Sequence, residues 1–167
     1  MENDINLLEL LKPFAEKDLE WRPQLIMPNK KGDMMALVLC YVTARAVMTR
    51  LDNVVGQSNW KDEYQHLATG VMCGISISTE AGEWVTKWDG AEETQIEAFK
   101  GGISSAFKRT AVKWGVGRYL YELEDTWVNL TTERPLVNEK WRMNRTKHQG
   151  NTYYFVAPEM PSKFKIK

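Results

Sequence analysis

Cysteine and histidine are scarce in this chain, with two of each. Cys40 and Cys73 sit inside apolar runs, so they read as reduced core residues and not as a disulfide framework. His66 and His148 are far apart and have no Cys or His at ligand spacing, which argues against zinc. Long hydrophobic runs are also missing: "MMALVLCYV" is far too short to span a bilayer. The opening "MENDINLLELLKPF" carries acids where a secretion signal needs cations. A soluble, intracellular protein is therefore expected, and the Asn-x-Thr triplets at Asn129 and Asn144 are then chance matches. No Gly-rich loop followed by Lys-Ser or Lys-Thr occurs, so ATP hydrolysis is not indicated and no cofactor is expected.

Net charge is absent, but only in sum. The 22 Lys/Arg and 22 Asp/Glu are unevenly placed. Residues 1–99 hold 9 bases and 16 acids, and residues 100–167 hold 13 bases and 6 acids. Such a split predicts an acidic surface and a basic one. The basic part could grip a polyanion, or basic and acidic faces of neighbouring subunits could meet. Solvated charge without a partner is the plainer alternative.

The length and ordinary apolar content suit one domain with a real core. Asp4 is placed to cap a short helix, "INLLELLK", that Pro13 stops. "LEWRPQLIM" and "MMALVLCYV" flank the turn "PNKKGD" and predict a hairpin, with Pro23 marking an edge or a bend. In "TARAVMTRLDNVVG", Ala44, Val47, Met48, Leu51, Val54 and Val55 fall at helical spacing between a Thr43 cap and a Gly56 stop. Arg45, Thr49, Arg50, Asp52 and Asn53 form its polar face. "WKDEYQHL", "VMCGISIST" and "EWVTKWDG" read as a three-stranded antiparallel meander, with Val71, Cys73, Ile75 and Ile77 on one side. Trp84 and Trp88 are expected to serve packing or an interface. A long helix is expected from about Thr94 to Trp114, ended by Gly115 and Gly117. "TWVNL" is strand-like, and "EKWRMNRTKHQGNTYYFVAP" predicts a hairpin turning at "HQGN". The expected class is α+β, with an antiparallel sheet packed on a long helix.

One absence is local. From Lys100 to Tyr121 there are five bases, Lys100, Lys108, Arg109, Lys113 and Arg118, and no acid. On a helical wheel Phe99, Ile103, Phe107, Ala111 and Trp114 share one face, while Lys108, Arg109 and Lys113 lie on another with Ser105. Lys100 falls toward the core side. Solvated helix flanks usually mix signs as i,i+4 pairs, and this one does not. Arg45 and Arg50 on the preceding helix could join the same patch.

The segments "RLDNVVGQSNWKDEY", "GISISTEAGEWVTKWDGAEET" and "EAFKGGISSAFKRTAVKWGVGRYLYEL", in this order, resemble the Rad fifty-two family of single-strand annealing proteins. The shared pattern is a helix ending in Gly, a Trp opening the next strand, a meander, an Asp-Gly passage, and a long helix carrying Lys-Arg. The likeness covers about residues 18–125, leaving a C-terminal hairpin region at 126–160. The "PF…EWRPQ" opening is most similar to the bacterial and phage branch. The resemblance implies a β-β-β-α core that assembles into homo-oligomeric rings, with single-stranded DNA in a basic groove and no catalysis. It implies a cytoplasmic, nucleoid-associated role in repair or recombination, and leaves room for a recombinase or a single-strand binding protein as partner. The family's groove cations on the long helix fall here on Lys108 and Arg109. A third falls on Val112, beside Lys113, and the first-helix cation falls on Ala46, beside Arg45.

Two rival classes stand beside this reading. A nuclease would need converging carboxylates, for which Asp62-Glu63, Asp89 and Glu92-Glu93 are the candidates, although no familiar spacing joins them. A structural ring would instead bury the cations between subunits.

Overall fold

A computed structural model describes residues 5–79, 81–92 and 98–165, the last stretch with side chains from residue 101. Asp4, Glu93, Thr94 and Ile96 and the side chains of Phe99 and Lys100 lie outside the described residues. The fold of the described residues is α+β, with antiparallel sheets and two α-helices. Its contacts gather into two compact units. One holds the chain up to Phe14 with Val42–Tyr119, and the other holds Ala15–Tyr41 with the chain from Leu120 onward.

The first unit begins with a 3-10 turn, Leu7–Leu11, capped by Asn6, whose side chain accepts from Leu8 N. Helix α1 (Ala44–Val55) starts at Thr43, whose Oγ1 accepts from Ala46 N at 3.1 Å, and stops at Gly56 with φ +89°. Thr43 thus satisfies one of the free N–H groups of the first turn. Gly56 takes a backbone conformation that a side chain would disfavour. Val47, Leu51 and Val55 are buried, whereas Met48 lies on the exposed side. The corner into the next strand is fixed by Trp60, whose indole N–H donates to Asp52 Oδ1 at 2.8 Å.

Strands β3 (Trp60–Leu67), β4 (Gly70–Ser78) and β5 (Trp84–Glu92), which follow β1 (Leu19–Pro28) and β2 (Met34–Val42) in the chain, form an antiparallel meander in that order. Val71, Cys73, Ile75 and Ile77 are buried on one face of β4. The opposite face is also covered. Trp88 lies opposite Gly74, where an added Cβ would sit 2.6 Å from the indole ring. Beside it the Ser76 and Thr86 hydroxyls are 2.8 Å apart. The absence of a side chain at Gly74 is what lets the Trp88 ring lie flat on the sheet.

Helix α2 (Ala98–Lys113) faces β4 and β5. Ala106, Phe107, Thr110 and Ala111 are buried. Thr110 Oγ1 is 2.8 Å from Cys73 O, and the Trp114 indole donates to Ile75 O at 3.0 Å. Phe107 meets Trp60, with ring centroids 6.2 Å apart. Gly115 and Gly117, at φ +96° and +70°, end the helical run.

In the second unit β1 (Leu19–Pro28) and β2 (Met34–Val42) are neighbours, joined by a turn in which Asn29 Oδ1 accepts from Lys31 N and Asp33 N. β1 is an edge strand of this sheet, the position in which a proline such as Pro23 is tolerated. On the other side β2 pairs antiparallel with β6 (Thr126–Asn129). β7 (Met143–His148) and β8 (Asn151–Val156) form a hairpin around Gln149 and Gly150, at φ +48° and +80°. Two successive positive φ values suit the twist of a two-residue hairpin turn. Thr131 and Tyr154 exchange both backbone hydrogen bonds, which ties β8 to the chain just after β6.

Candidate nucleic-acid interface

The burial of α2 fixes which of its side chains can meet a ligand. Thr110 and Trp114 are bonded to carbonyls of β4, so the helix cannot rotate, and the flank carrying Arg109 and Lys113 is turned to solvent. These two are i,i+4 neighbours, hence on one line along the helix. Lys108, next to Arg109, is half-buried. Ser104 and Ser105, also partly exposed, add small side chains nearby.

Among the described residues Arg109 has one acid within reach. Its Nη2 lies 3.4 Å from Asp89 Oδ1 on β5. The same oxygen accepts from Gly90 N at 2.7 Å, which orients the carboxylate. About half of the Arg109 side chain remains exposed, so this pair contributes only about 0–1 kcal/mol and can yield to a stronger anion. The Asp-Gly step therefore aims the carboxylate that positions Arg109.

Two further cations close the end of α2. Arg118 donates from Nε to Val112 O at 3.1 Å and from Nη2 to Lys113 O at 3.1 Å. Lys87 donates from Nζ to Lys113 O at 3.0 Å and stands 4.2 Å over the Trp114 ring. The last carbonyls of a helix carry its negative end, and both cations answer it. Alternation along β5 does not reveal that Lys87 meets this helix end, so its role is visible only in the fold.

On α1, Arg45 is exposed. Arg50 is not. Its Nη1 donates to Lys12 O at 2.6 Å and Glu9 O at 3.2 Å, its Nη2 donates to Pro13 O at 3.0 Å, and it lies 4.2 Å over the Phe14 ring. The six cations singled out from sequence thus separate. Lys108, Arg109 and Lys113 share α2, Arg45 stands exposed on α1, and Arg50 and Arg118 hold backbone carbonyls.

The acids and thiols take other roles. Among the described residues no three His, Cys, Asp or Glu side chains gather as a metal site would require. Burial pushes the Cys73 thiol up to about 11, and burial with the nearby Glu16 carboxylate pushes Cys40 up to about 12. Both therefore stay protonated at neutral pH and are poor nucleophiles. The Tyr64 phenol, raised by burial and by donating to Asp62 Oδ2 at 2.7 Å, is likewise un-ionised. No described helix is long and apolar enough to cross a membrane.

The helix with its cationic flank and the three-stranded meander that carries it lie within a stretch that matches a family of DNA repair proteins. Residues 6–138 match the Rad52/22 family of double-strand break repair proteins, and the chain is a member of that family. It is similar to the single-stranded DNA-binding protein DdrA of Deinococcus radiodurans, with 35% identity over 126 residues, 72% of this chain and 56% of the relative. The protein of the same name from Deinococcus deserti is 34% identical over 125 residues, 71% of this chain and 58% of the relative. The chain thus spans rather more than half the length of these relatives.

Proposed function

We propose that this protein binds single-stranded DNA through the phosphate backbone, in repair or recombination, to protect 3′ ends or anneal complementary strands. The observation that carries the reading is the exposed flank of α2, where Arg109 and Lys113 line up beside Lys108 on a helix immobilised by Thr110 and Trp114. Arg45 is the further cation available from α1. Phosphates carry no sequence information, so a surface that grips them suits a protein that must accept any strand. Holding the backbone leaves base edges free to find a complement. Family membership and the names of the two relatives support the same reading.

In this reading the protein is a binder and not an enzyme, works with DNA in the cytoplasm, and acts as a homo-oligomeric ring. A recombinase or a single-strand binding protein is a natural partner for a protein on such strands. The test is equilibrium binding of an end-labelled single strand and of the matching duplex, followed by an annealing assay with magnesium present. Preferential binding of the single strand, weakened in Lys108→Ala/Arg109→Ala, and pairing without shortening are expected. A shortened strand would favour the nuclease, and binding indifferent to the double substitution would remove α2 from the interface.

A further inference from the structure

The chain has a second stretch without acids. From Lys140 to Pro158 there are four Lys/Arg and no Asp or Glu. It begins beyond the residues that match the family, which end at 138. It folds as the β7–β8 hairpin, and the register sorts its side chains. Phe155 is buried and pairs with Asn144, so the Phe155 face is the inner one. By alternation Arg145 and Lys147, both exposed, stand on the outer face opposite Tyr154 and Thr152.

Three features give this outer face a chemistry. Arg145 and Lys147 make no ion pair among the described residues. Arg134 adds a third exposed cation, its Nε lying 3.3 Å from Sδ of Met143, which shares the outer face. Tyr154, half-exposed, stands directly across from Arg145 and is held by its backbone bonds to Thr131. The acid that follows the stretch, Glu159, is engaged by Arg142 at 3.9 Å and Lys165 at 3.4 Å.

We propose that the outer face of the β7–β8 hairpin is a second contact for single-stranded nucleic acid, with Arg134, Arg145 and Lys147 on phosphates and Tyr154 under a base. Cations beside an aromatic ring are what a sequence-tolerant single-strand surface requires: charge tracks the backbone and any base can stack on the ring. A purely electrostatic patch would not need the tyrosine, and a purely apolar one would not need three cations. The proposal rests on the reading of the protein as a single-strand binder, but it engages other residues.

The test compares wild type, Lys108→Ala/Arg109→Ala and Arg145→Ala/Lys147→Ala on a labelled single strand and a duplex across a salt series. Each phosphate contact on a single strand contributes about 0.7 to the logarithmic salt slope, so the hairpin variant should lower the slope by about 1.4. Between 50 and 200 mM salt it should then lose about sevenfold less affinity than wild type. Tyr154→Leu should weaken binding with the slope unchanged, and Tyr154→Phe should leave both intact. Arg145→Lys/Lys147→Arg, which keeps the charge, should restore the slope. Unchanged affinity and slope in Arg145→Ala/Lys147→Ala, beside a clear loss in Lys108→Ala/Arg109→Ala, would overturn the hairpin and leave the proposed function standing. The reverse pattern would keep the hairpin and remove α2. A hairpin effect on duplex alone, or no binding by wild type, would overturn this proposal.

Discussion

Residue by residue, the cations differ in what they are free to do. Arg50 donates to carbonyls of the N-terminal segment, those of Glu9, Leu10, Lys12 and Pro13, and covers Phe14, so it belongs to stability. Hydrogen bonds from a charged donor contribute about 1.5–3 kcal/mol, and Arg50→Ala should cost about that much in urea unfolding. Arg50→Lys should not rescue it, since one ammonium cannot reproduce the guanidinium fork. Retained stability in Arg50→Ala would contradict the assignment. Asp89→Asn makes the opposite prediction. It removes the carboxylate that competes for Arg109, so single-strand affinity should rise a few-fold while the melting temperature hardly moves. A fall in affinity would mean that Asp89 orients Arg109 more than it neutralises it.

The thiols set a pH limit. Cys73 and Cys40 are raised to about 11 and 12 in the fold, against about 8.5 in a free chain. A group whose pKa is raised on folding favours the fold while it is protonated. That contribution is intact at neutral pH and is lost as pH rises from the free-thiol range through 11–12. Native protein at pH 7.5 should therefore resist iodoacetamide and react only when unfolded. Rapid labelling of native Cys73 would contradict its buried, protonated state.

At the scale of elements, local signals were readable because their causes are local. Thr43 and Gly56 bound α1 as a cap and a positive-φ stop, and alternation in "VMCGISIST" marks the buried face of β4. The "HQGN" turn is built on Gln149 and Gly150, as the flanking strands required. What the sequence did not disclose depends on distant partners. The place of β6 beside β2 closes a long loop, and nothing within "TWVNL" names its neighbour. Asn6 caps the first described turn, and Asp4, named for that role by its spacing, lies outside the described residues. Trp114, expected in the core by its spacing, is half-exposed and donates to Ile75 O. In the candidate site, the cationic flank was legible as a run without acids, whereas the pairing of Arg109 with Asp89 and the capture of Arg50 by carbonyls about forty residues away were not. Phe107 is buried against Trp60, so Phe107→Ala should cost about 3–5 kcal/mol. Wild-type melting in that variant would reverse the faces of α2.

For the molecule as a whole, the neutral total conceals a basic C-terminal part and an acidic N-terminal part. A chain without net charge has little long-range attraction for DNA, so the proposed binding rests on local clusters of cations, and salt dependence counts them. That makes the salt slope the most direct measurement. We would follow a fluorescent single strand binding to wild type and to Lys108→Ala/Arg109→Ala/Lys113→Ala from low to physiological salt, with oligomeric mass checked by light scattering. A steep slope is expected for wild type, with a slope lower by about 2 in the triple variant, at about 0.7 per contact, and an unchanged mass. Equal slopes in the two proteins, or a triple variant that loses its assembly together with its binding, would contradict it.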